Sequence, residues 1–191
     1  MAGCVVLLNT LPPFIQLFLN QSVALLPGIQ VFHILDEPLL EHVRRQGAID
    51  QNDVSRVEAH VEAAAAIGAH AMLVTCSTVS PCVDGIRANA PIPVLKIDEA
   101  MIAEAIRRGP KIGVVATNST TLTPTRTLLQ QAAAVADAPI EVKTVLVEGA
   151  LPALLRGDGP MHDQLVIAGV LELARTVDVI VLAQASMARI M

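Results

Sequence analysis

Residues 72–81 read Met-Leu-Val-Thr-Cys-Ser-Thr-Val-Ser-Pro, and this stretch indicates how the chain around it folds. The apolar run from Ala71 to Val74 stops at Thr75-Cys76, and a helical pattern follows the hydroxyl residues. A short apolar run that ends in small polar residues before a helix is typical of a buried parallel strand. Ligands of open α/β sheets bind beyond the carboxyl ends of the strands. The stretch therefore predicts a parallel α/β fold with Cys76 at its ligand-binding edge.

Two interpretations of Cys76 follow from this position. The backbone N–H groups of Ser77, Thr78 and Val79, at the start of a helix, would favour a thiolate and could also hold a substrate carboxylate. Cys76 would then be the catalytic residue. Alternatively, a small cysteine at the end of a buried strand is only a packing residue.

Composition restricts the classes of function. The 191 residues are 53% hydrophobic and 16% charged, enough for a large core, yet polar residues or proline interrupt every apolar run before membrane-spanning length. A net charge of −5, no basic patch and no Trp or Tyr argue against nucleic acid as a partner. Three cysteines do not form a disulfide framework, which favours a reducing cytoplasm. The N-terminus resembles a first strand more than a signal peptide.

Motifs for nucleotides and metals are missing from the sequence. It contains no GxGxxG, no phosphate-binding loop and no Cys or His pair at metal-ligand spacing. If the protein is an enzyme, we expect it to use neither a cofactor nor a metal.

Apolar runs and turn residues predict alternating strands and helices along the whole chain. The predicted strands are Cys4–Leu8, Ile29–Leu35, Ala71–Val74, Pro93–Ile97, Lys111–Ala116, Ile140–Val147 and Val177–Leu182. The predicted helices are Pro12–Leu26, a helix capped by Asp53 and ended by Gly68, Val79–Ala88, Asp98–Arg108, Leu122–Val135 and Met161–Ala174.

The strand ends repeat at a constant spacing. Asn9 and Thr117 each close the first strand of a half, Cys76 and Gln184 each close the third, and both pairs are 108 residues apart. This predicts a duplication: a lobe over residues 1–97 and a similar one over 98–191, with an interlobe cleft. The counterpart of the fourth strand would fall near residue 201, so the second lobe should lack a final strand, as in a fragment or a chain without its tail.

The motifs "VTCSTVSP", "GVVATNSTT" and "VDVIVLAQASM" together resemble the aspartate/glutamate/hydantoin racemase superfamily over nearly the whole chain. The resemblance implies a cofactor-free enzyme in which two cysteines act on opposite faces of a carbon next to a carboxylate. Cys76 matches the first cysteine. The resemblance also implies substrate-binding positions at Asn9, Thr10, Ser77, Thr78, Thr117, Thr120, Thr121, Ala185 and Ser186.

Gln184 stands where the second cysteine should be. An amide neither abstracts nor donates a proton at useful pH, so one thiolate would serve one face only. Three interpretations stay open. Cys76 could act alone, Ser186 or a water held by Gln184 could replace the second acid, or the protein could bind an acid without turnover while Gln184 orients it.

Other candidate residues have simpler explanations. Cys4 and Cys82 are predicted to be packing residues. The five histidines show no metal or triad spacing. Asp36, Glu37 and Glu41 are predicted to form a solvated turn and helix face. Asn9 and Thr117 could simply cap helices, but their pairing with Cys76 and Gln184 favours contact with substrate.

The sequence thus predicts a cofactor-independent racemase-type isomerase that transfers a proton at the carbon α to a carboxylate of an amino acid or related small acid. Cys76 is the predicted base. A single-cysteine decarboxylase or a maleate-type cis–trans isomerase is the nearest alternative enzyme, and a non-catalytic carboxylate-binding protein is the alternative of another class. A homodimer fits the resemblance, although no helix in the sequence pattern marks an interface.

Overall fold

The computed structural model describes residues 3–191 and divides into two compact units, Met1–Ile97 and Asp98–Met191. Each unit is a parallel β-sheet with helices packed on it. The strands are β1 (Cys4–Asn9), β2 (Gln30–Leu35), β3 (Ala71–Val74), β4 (Val94–Lys96), β5 (Lys111–Ala116), β6 (Glu141–Leu146) and β7 (Val179–Leu182). The helices are α1 (Pro13–Leu25), α2 (Glu37–Gln46), α3 (Gln51–Ala66), α4 (Cys82–Ile86), α5 (Glu99–Arg108), α6 (Ser119–Val135), α7 (Ala150–Leu155), α8 (Gly159–Leu173) and a 3₁₀ helix (Ala185–Ile190).

The two sheets share one strand arrangement. The first sheet has the order β2-β1-β3-β4 and the second has the order β6-β5-β7, so the first strand of each unit is flanked by the second and third. All pairs are parallel. The third strands begin 108 residues apart, at Ala71 and Val179. The predicted two-lobed α/β fold with helix-flanked parallel sheets is confirmed.

The apolar residues that define the strands and helices form the core of each unit. In α3, Val57, Val61 and Ala64 are buried together, as their helical spacing predicts, and they pack with β1 and β3 residues such as Leu8 and Val74. Among residues 3–191, none of the helices combines the length and apolar character needed to cross a bilayer.

The prediction of helix starts was less accurate than that of strands. α7 and the 3₁₀ helix are not among the predicted elements, α2 is predicted only as a helix face with Glu37 and Glu41, and the helix after Cys76 starts at Cys82 instead of near Val79. The helix containing Asp53 is capped by Asp50, because the Asp50 side chain accepts from the Asn52 and Asp53 N–H groups. The Asp53 side chain accepts in return from the Asp50 N–H, which completes a capping box.

The prediction that Asp36 is solvated is wrong. Asp36 follows β2 and is only 2% exposed. Its carboxylate caps α2 through the Leu39 N–H at 3.1 Å, accepts two bonds from the Arg56 guanidinium at 2.6 and 2.8 Å, and lies 2.7 Å from His60 Nε2. Burial by itself would raise the Asp36 pKa, but the bonds from Arg56, His60 and Leu39 together lower it below its ordinary 3.8. This carboxylate therefore fastens α2 and α3 to the end of β2.

We expect Asp36→Asn to lower the free energy of unfolding at pH 7 by about 1.5–3 kcal/mol, because hydrogen bonds to a charged group are lost. Since the folded pKa is lowered, the stabilisation is fully present above 3.8 and disappears as the pH falls through the folded value. Urea unfolding of both proteins at pH 7 and at about pH 2 should show the difference shrink.

Glu41→Gln is the matched control, because Glu41 pairs with Arg44 and Arg45 on an exposed surface. It should change stability by less than about 0.5 kcal/mol. A deficit in Asp36→Asn that is as large in acid as at pH 7 would contradict the assignment.

Candidate functional site

Asn9 connects the carboxyl ends of the strands in the first sheet. It ends β1 and is 1% exposed. Its amide nitrogen donates to the Leu7 carbonyl at 3.0 Å and the Ile34 carbonyl at 3.3 Å, and lies 3.2 Å from His33 Nδ1. Its amide oxygen accepts from the Thr75 hydroxyl at 3.1 Å. Both ends of the Asn9 amide thus have protein partners, and they join β1 to the strands on either side.

His33 lies beside this amide on β2. Burial lowers the pKa of His33 below its ordinary 6.5, so its imidazole is neutral at pH 7. A neutral ring has one acceptor nitrogen, and Nδ1 can fill that role toward Asn9 while Nε2 carries the proton. Nε2 is buried without a hydrogen-bond partner among the described residues.

Thr75 is a residue that the sequence analysis did not single out. It directly follows β3, and its hydroxyl lies 2.9 Å from the Leu8 carbonyl as well as 3.1 Å from the Asn9 amide oxygen. Its own N–H donates to Leu8 at 3.0 Å. Because Thr75 is held to β1 at three points, the position of the next residue, Cys76, is fixed relative to the sheet edge.

The backbone after Cys76 forms a turn before any helix begins. The N–H groups of Val79 and Ser80 donate to the Cys76 carbonyl at 3.1 and 2.9 Å. The Val79 N–H was expected to point toward the Cys76 sulfur, and this expectation is wrong, because the carbonyl uses it. α4 starts at Cys82, after Pro81 at its N-cap. Cys76 therefore lies at the start of a compact turn and not at the N-terminus of a helix.

The three cysteines differ in accessibility. All are free thiols, but Cys4 and Cys82 are buried in the core while Cys76 is partly exposed. Burial, followed by the nearby Asp53 carboxylate, raises the pKa of Cys82 to about 12, so Cys82 is a protonated thiol at neutral pH. Only Cys76 has both a position at the carboxyl edge of the sheet and contact with solvent.

The other predicted site residues of the first unit surround Cys76 and Asn9 in sequence and are buried. Thr10 is 3% exposed, Ser77 is 8% exposed and Thr78 is 2% exposed. This edge therefore carries buried polar side chains close in sequence to one partly exposed thiol.

Thr117 and Gln184 are brought together at the carboxyl edge of the second sheet. Thr117 follows β5, and its N–H and hydroxyl donate to Gln184 Oε1 at 2.5 and 3.0 Å. Gln184 follows β7, at the start of the 3₁₀ helix. Because two donors require an oxygen, they fix the orientation of the Gln184 amide. The contact uses the carbonyl of the amide and leaves its NH₂ group with two donors for other partners.

The N-terminus of α6 opens directly from this edge. Asn118 is the N-cap, and its side chain accepts from the Thr120 N–H at 3.4 Å. Thr121 is 1% exposed in the same turn. A helix of 17 residues that starts just after a strand presents the partial positive charge of its dipole to an anion. The helix N-terminus that the sequence predicts just after Cys76 is therefore found just after Thr117 instead.

Ala185 and Ser186 begin the 3₁₀ helix that follows Gln184. Ser186 is 5% exposed, and its hydroxyl oxygen is buried without a hydrogen-bond partner among the described residues. A buried hydroxyl in this state costs about 1–3 kcal/mol. Ser186 is thus a polar group at this edge whose hydrogen bonding the protein itself does not satisfy.

Glu148 is an ionisable residue that the sequence analysis missed. It follows Val147, whose N–H extends the β5–β6 ladder by donating to Ala116 at 2.7 Å, and it is exposed. Among the first two residues after each of β5, β6 and β7, Glu148 is the one with an ionisable side chain. Its position just after a strand, like that of Thr117, was the signal that could have identified it.

These features define the class: a parallel α/β protein of two units whose polar side chains collect at the carboxyl edges of the sheets. The chain belongs to the Asp/Glu/Hydantoin racemase family, whose model matches residues 19–191. This confirms the resemblance seen in the sequence. No curated protein sequence matches the chain.

Solved structures with the same fold are racemases of low sequence identity. Glutamate racemase isoform RacE1 from Bacillus anthracis superposes with a TM-score of 0.73 at 17% identity, over 98% of this chain and 73% of that one. Allantoin racemase from Klebsiella pneumoniae gives 0.73 at 18% identity, over 98% and 76%. A putative Asp/Glu racemase from Yersinia pestis gives 0.70 at 18%, over 99% and 88%. At identities this low, the superpositions show a shared fold alone.

We expect iodoacetamide to alkylate Cys76 in the native protein and to leave Cys4 and Cys82 unmodified, because only Cys76 contacts solvent. Peptide mass spectrometry after a short reaction at pH 8 would give the sites. The same reaction in urea is the control and should modify all three cysteines. Native modification of Cys82 at a rate similar to that of Cys76 would contradict the burial of its thiol.

Proposed function

We propose that the protein is a cofactor-independent racemase-type isomerase that moves a proton at the carbon α to a carboxylate of an amino acid or related small acid. Cys76 is the proposed base. The observation that carries the proposal is that, in a chain of the racemase family, Cys76 is the one partly exposed thiol and lies at the carboxyl edge of its sheet. A thiolate base also requires a reducing compartment, in keeping with three free cysteines and the expected cytoplasmic location.

The substrate carboxylate is proposed to bind at backbone and hydroxyl donors. At the second sheet these are the α6 N-terminus with Thr120 and Thr121, beside Thr117 and Ser186. A carboxylate is favoured there by the positive end of the α6 helix dipole. At the first sheet, Thr10, Ser77 and Thr78 are the proposed contacts. Asn9 then acts mainly by holding the strand ends, because its amide is already hydrogen-bonded on both sides.

Gln184 is proposed to stabilise the charge that develops when the α proton leaves. Its carbonyl is occupied by Thr117, so the group it can offer a substrate is its NH₂. Removal of the α proton moves negative charge onto the carboxylate oxygens, and a fixed N–H donor aimed at that charge lowers the barrier. The amide cannot itself transfer the second proton.

Glu148 is the proposed second proton-transferring group. A carboxylate can both accept and deliver a proton, which the amide at position 184 cannot do. Ser186, the hydroxyl considered from the sequence, is buried, whereas Glu148 is exposed at the end of its strand.

A one-sided reaction is the second candidate function, and Gln184 is the observation that favours it. If no group replaces the missing cysteine, Cys76 alone could support a decarboxylation or a cis–trans isomerisation, in which one thiol protonates or attacks the substrate from one side. A carboxylate-binding protein without turnover would bind the same acids through the same donors.

We expect the wild-type protein in D2O to exchange the α proton of at least one of four probes, L- and D-aspartate and L- and D-glutamate, as followed by proton NMR. Cys76→Ser should reduce this exchange by about 10²–10⁴-fold, because a hydroxyl is a poor base at neutral pH. Cys82→Ser is the matched control, since the Cys82 thiol is buried and protonated, and exchange should persist. Undiminished exchange in Cys76→Ser would remove Cys76 from the mechanism.

We expect Glu148→Gln to separate the two faces of the reaction. The variant should still exchange the enantiomer whose proton Cys76 removes, but should lose exchange of the opposite enantiomer and lose racemisation measured by chiral chromatography. Glu141→Gln is the control, because Glu141 is an equally exposed glutamate at the other end of β6. Equal loss for both enantiomers, or for neither, would exclude Glu148 as the second acid–base group.

A further inference from the structure

Three polar side chains form a hydrogen-bonded row across the first sheet. His33 pairs with Leu7 in the β1–β2 register, and Asn9 lies two residues further along β1, so the His33 and Asn9 side chains are on one face of the sheet. Thr75 directly follows β3, and its hydroxyl contacts Asn9 at 3.1 Å. The row therefore runs from β2 across β1 to the end of β3, and it stops one residue before Cys76.

The neighbours of Asn9 fix which end of its amide faces each strand. The amide nitrogen lies 3.0 Å from the Leu7 carbonyl and 3.3 Å from the Ile34 carbonyl, and carbonyls only accept hydrogen bonds. His33 Nδ1 lies 3.2 Å from the same nitrogen, so it must also accept and carries no proton. The amide oxygen then remains for the Thr75 hydroxyl.

His33 is the acceptor in this set that can become a donor. The two carbonyls accept at every pH, whereas a protonated imidazole has an N–H group at both ring nitrogens. The Nδ1–H group would face the Asn9 NH₂ group, so that two donors meet. Turning the amide over would place its oxygen against the Leu7 and Ile34 carbonyls and remove it from Thr75. A charged His33 ring is therefore incompatible with the hydrogen bonds that hold these strand ends.

Packing alone does not account for a histidine at position 33. When Nδ1 accepts, Nε2 carries the proton of the neutral ring, and Nε2 is buried without a partner among residues 3–191. A buried N–H group without an acceptor is destabilising, and an apolar side chain would avoid that loss. Within the same residues, the hydrogen bond that the ring makes is the one to Asn9. This contact is what a histidine provides here and an apolar residue does not.

Burial, and not a neighbouring charge, sets the protonation of His33. It lowers the pKa of His33 below 6.5, and no charged side chain of the described residues contributes. Of the elements that pack against β2, α1 has no ionisable residue and β1 has only Cys4, at its opposite end. The Asp36 carboxylate, three residues further on, is hydrogen-bonded to Arg56 and His60 of α3. Because the unfolded chain takes up the proton first, the fold loses stability as the pH falls below 6.5, and the folded ring is charged only at lower pH.

We propose that His33 is a positioning residue of the site: its neutral Nδ1 holds the Asn9 amide in the orientation that fixes Thr75 and Cys76, and protonation of the ring releases this strand end. The consequence for catalysis rests on the proposed function, in which Cys76 is the base. The release of the strand end is a property of the fold and is measured without a substrate.

The tautomer of His33 is the first test. A long-range proton–nitrogen NMR correlation at pH 7 should show the ring neutral, with its proton on Nε2 and none on Nδ1. A ring that carries its proton on Nδ1 at this pH overturns the proposal, because it could not accept from Asn9.

Amide hydrogen exchange at decreasing pH tests the link from the ring to the strand end. The Thr75 N–H donates to Leu8 at 3.0 Å, and the Ala183 N–H donates to Val115 at 3.0 Å just after the third strand of the second unit. The protection of Thr75 relative to Ala183 should fall by about 10-fold or more as the ring is protonated, with the midpoint given by the His33 ring signals. In His33→Asn, whose amide oxygen replaces Nδ1 and does not titrate, this ratio should stay constant.

The pH profile of α-proton exchange in D2O, with L- and D-aspartate and L- and D-glutamate, gives the measurement of activity. Protonation of the Cys76 thiol gives one fall in kcat toward acid, and His33 should add a second at its own midpoint, with little change in KM, because the base is misplaced. His33→Asn should keep kcat within about 10-fold at pH 7 and lose the second fall. His70→Asn is the matched control and should retain it, because His70 Nδ1 accepts from the Cys4 N–H at 3.1 Å at the other end of the same strands.

The outcomes separate this proposal from the proposed function. A ratio of Thr75 to Ala183 protection that does not change while the ring titrates, or that changes equally in His33→Asn, overturns the proposal. A second fall in kcat that persists in His33→Asn, or that disappears in His70→Asn, overturns it as well. If the wild-type protein exchanges none of the four amino acids, the proposed function fails, and the amide measurement decides the role of His33 by itself.

Discussion

In each unit, hydrogen bonds to a side-chain amide oxygen join the carboxyl ends of two neighbouring strands. In the first sheet the Thr75 hydroxyl donates to the Asn9 amide oxygen, and in the second the N–H and hydroxyl of Thr117 donate to the Gln184 amide oxygen. The amide in the first unit is Asn9, which ends the first strand. The amide in the second unit is Gln184, which follows the third strand. A parallel sheet ends in a row of unpaired backbone groups, and these contacts fix the row in one arrangement.

The second edge carries an amide at position 184, where the family resemblance implies a cysteine. An amide at position 184 has an oxygen that can serve the Thr117 N–H, which a thiol does poorly. In the first unit, the Asn9 amide oxygen accepts from the Thr75 hydroxyl, so the corresponding contact there does not involve position 76.

Charged residues are distributed unevenly along the sequence. Asp36, the first charge in the sequence, is also the buried carboxylate that holds α2 and α3 together. The residues before Asp36 contain no Asp, Glu, Lys or Arg, and they include β1, an inner strand of the first sheet, and β2, one of its edge strands. Burial lowers the pKa of His33 on this edge strand, so its imidazole is neutral at pH 7. Its Nδ1 lies 3.2 Å from the Asn9 amide nitrogen at the candidate site.

The sequence by itself determined the alternation of strands and helices, the spacing of 108 residues and the family, because apolar runs and turn residues act over a few neighbours. It also singled out Cys76, Thr117 and Gln184, which lie one or two residues after strands. Only the tertiary structure decided that Asp36 is buried, that the helix start suited to an anion follows Thr117, and that Thr75 and Glu148 lie at the sheet edges. These properties depend on partners that are 20 to 67 residues away in sequence, such as Arg56 for Asp36 and Gln184 for Thr117, and local patterns carry no information about such pairs.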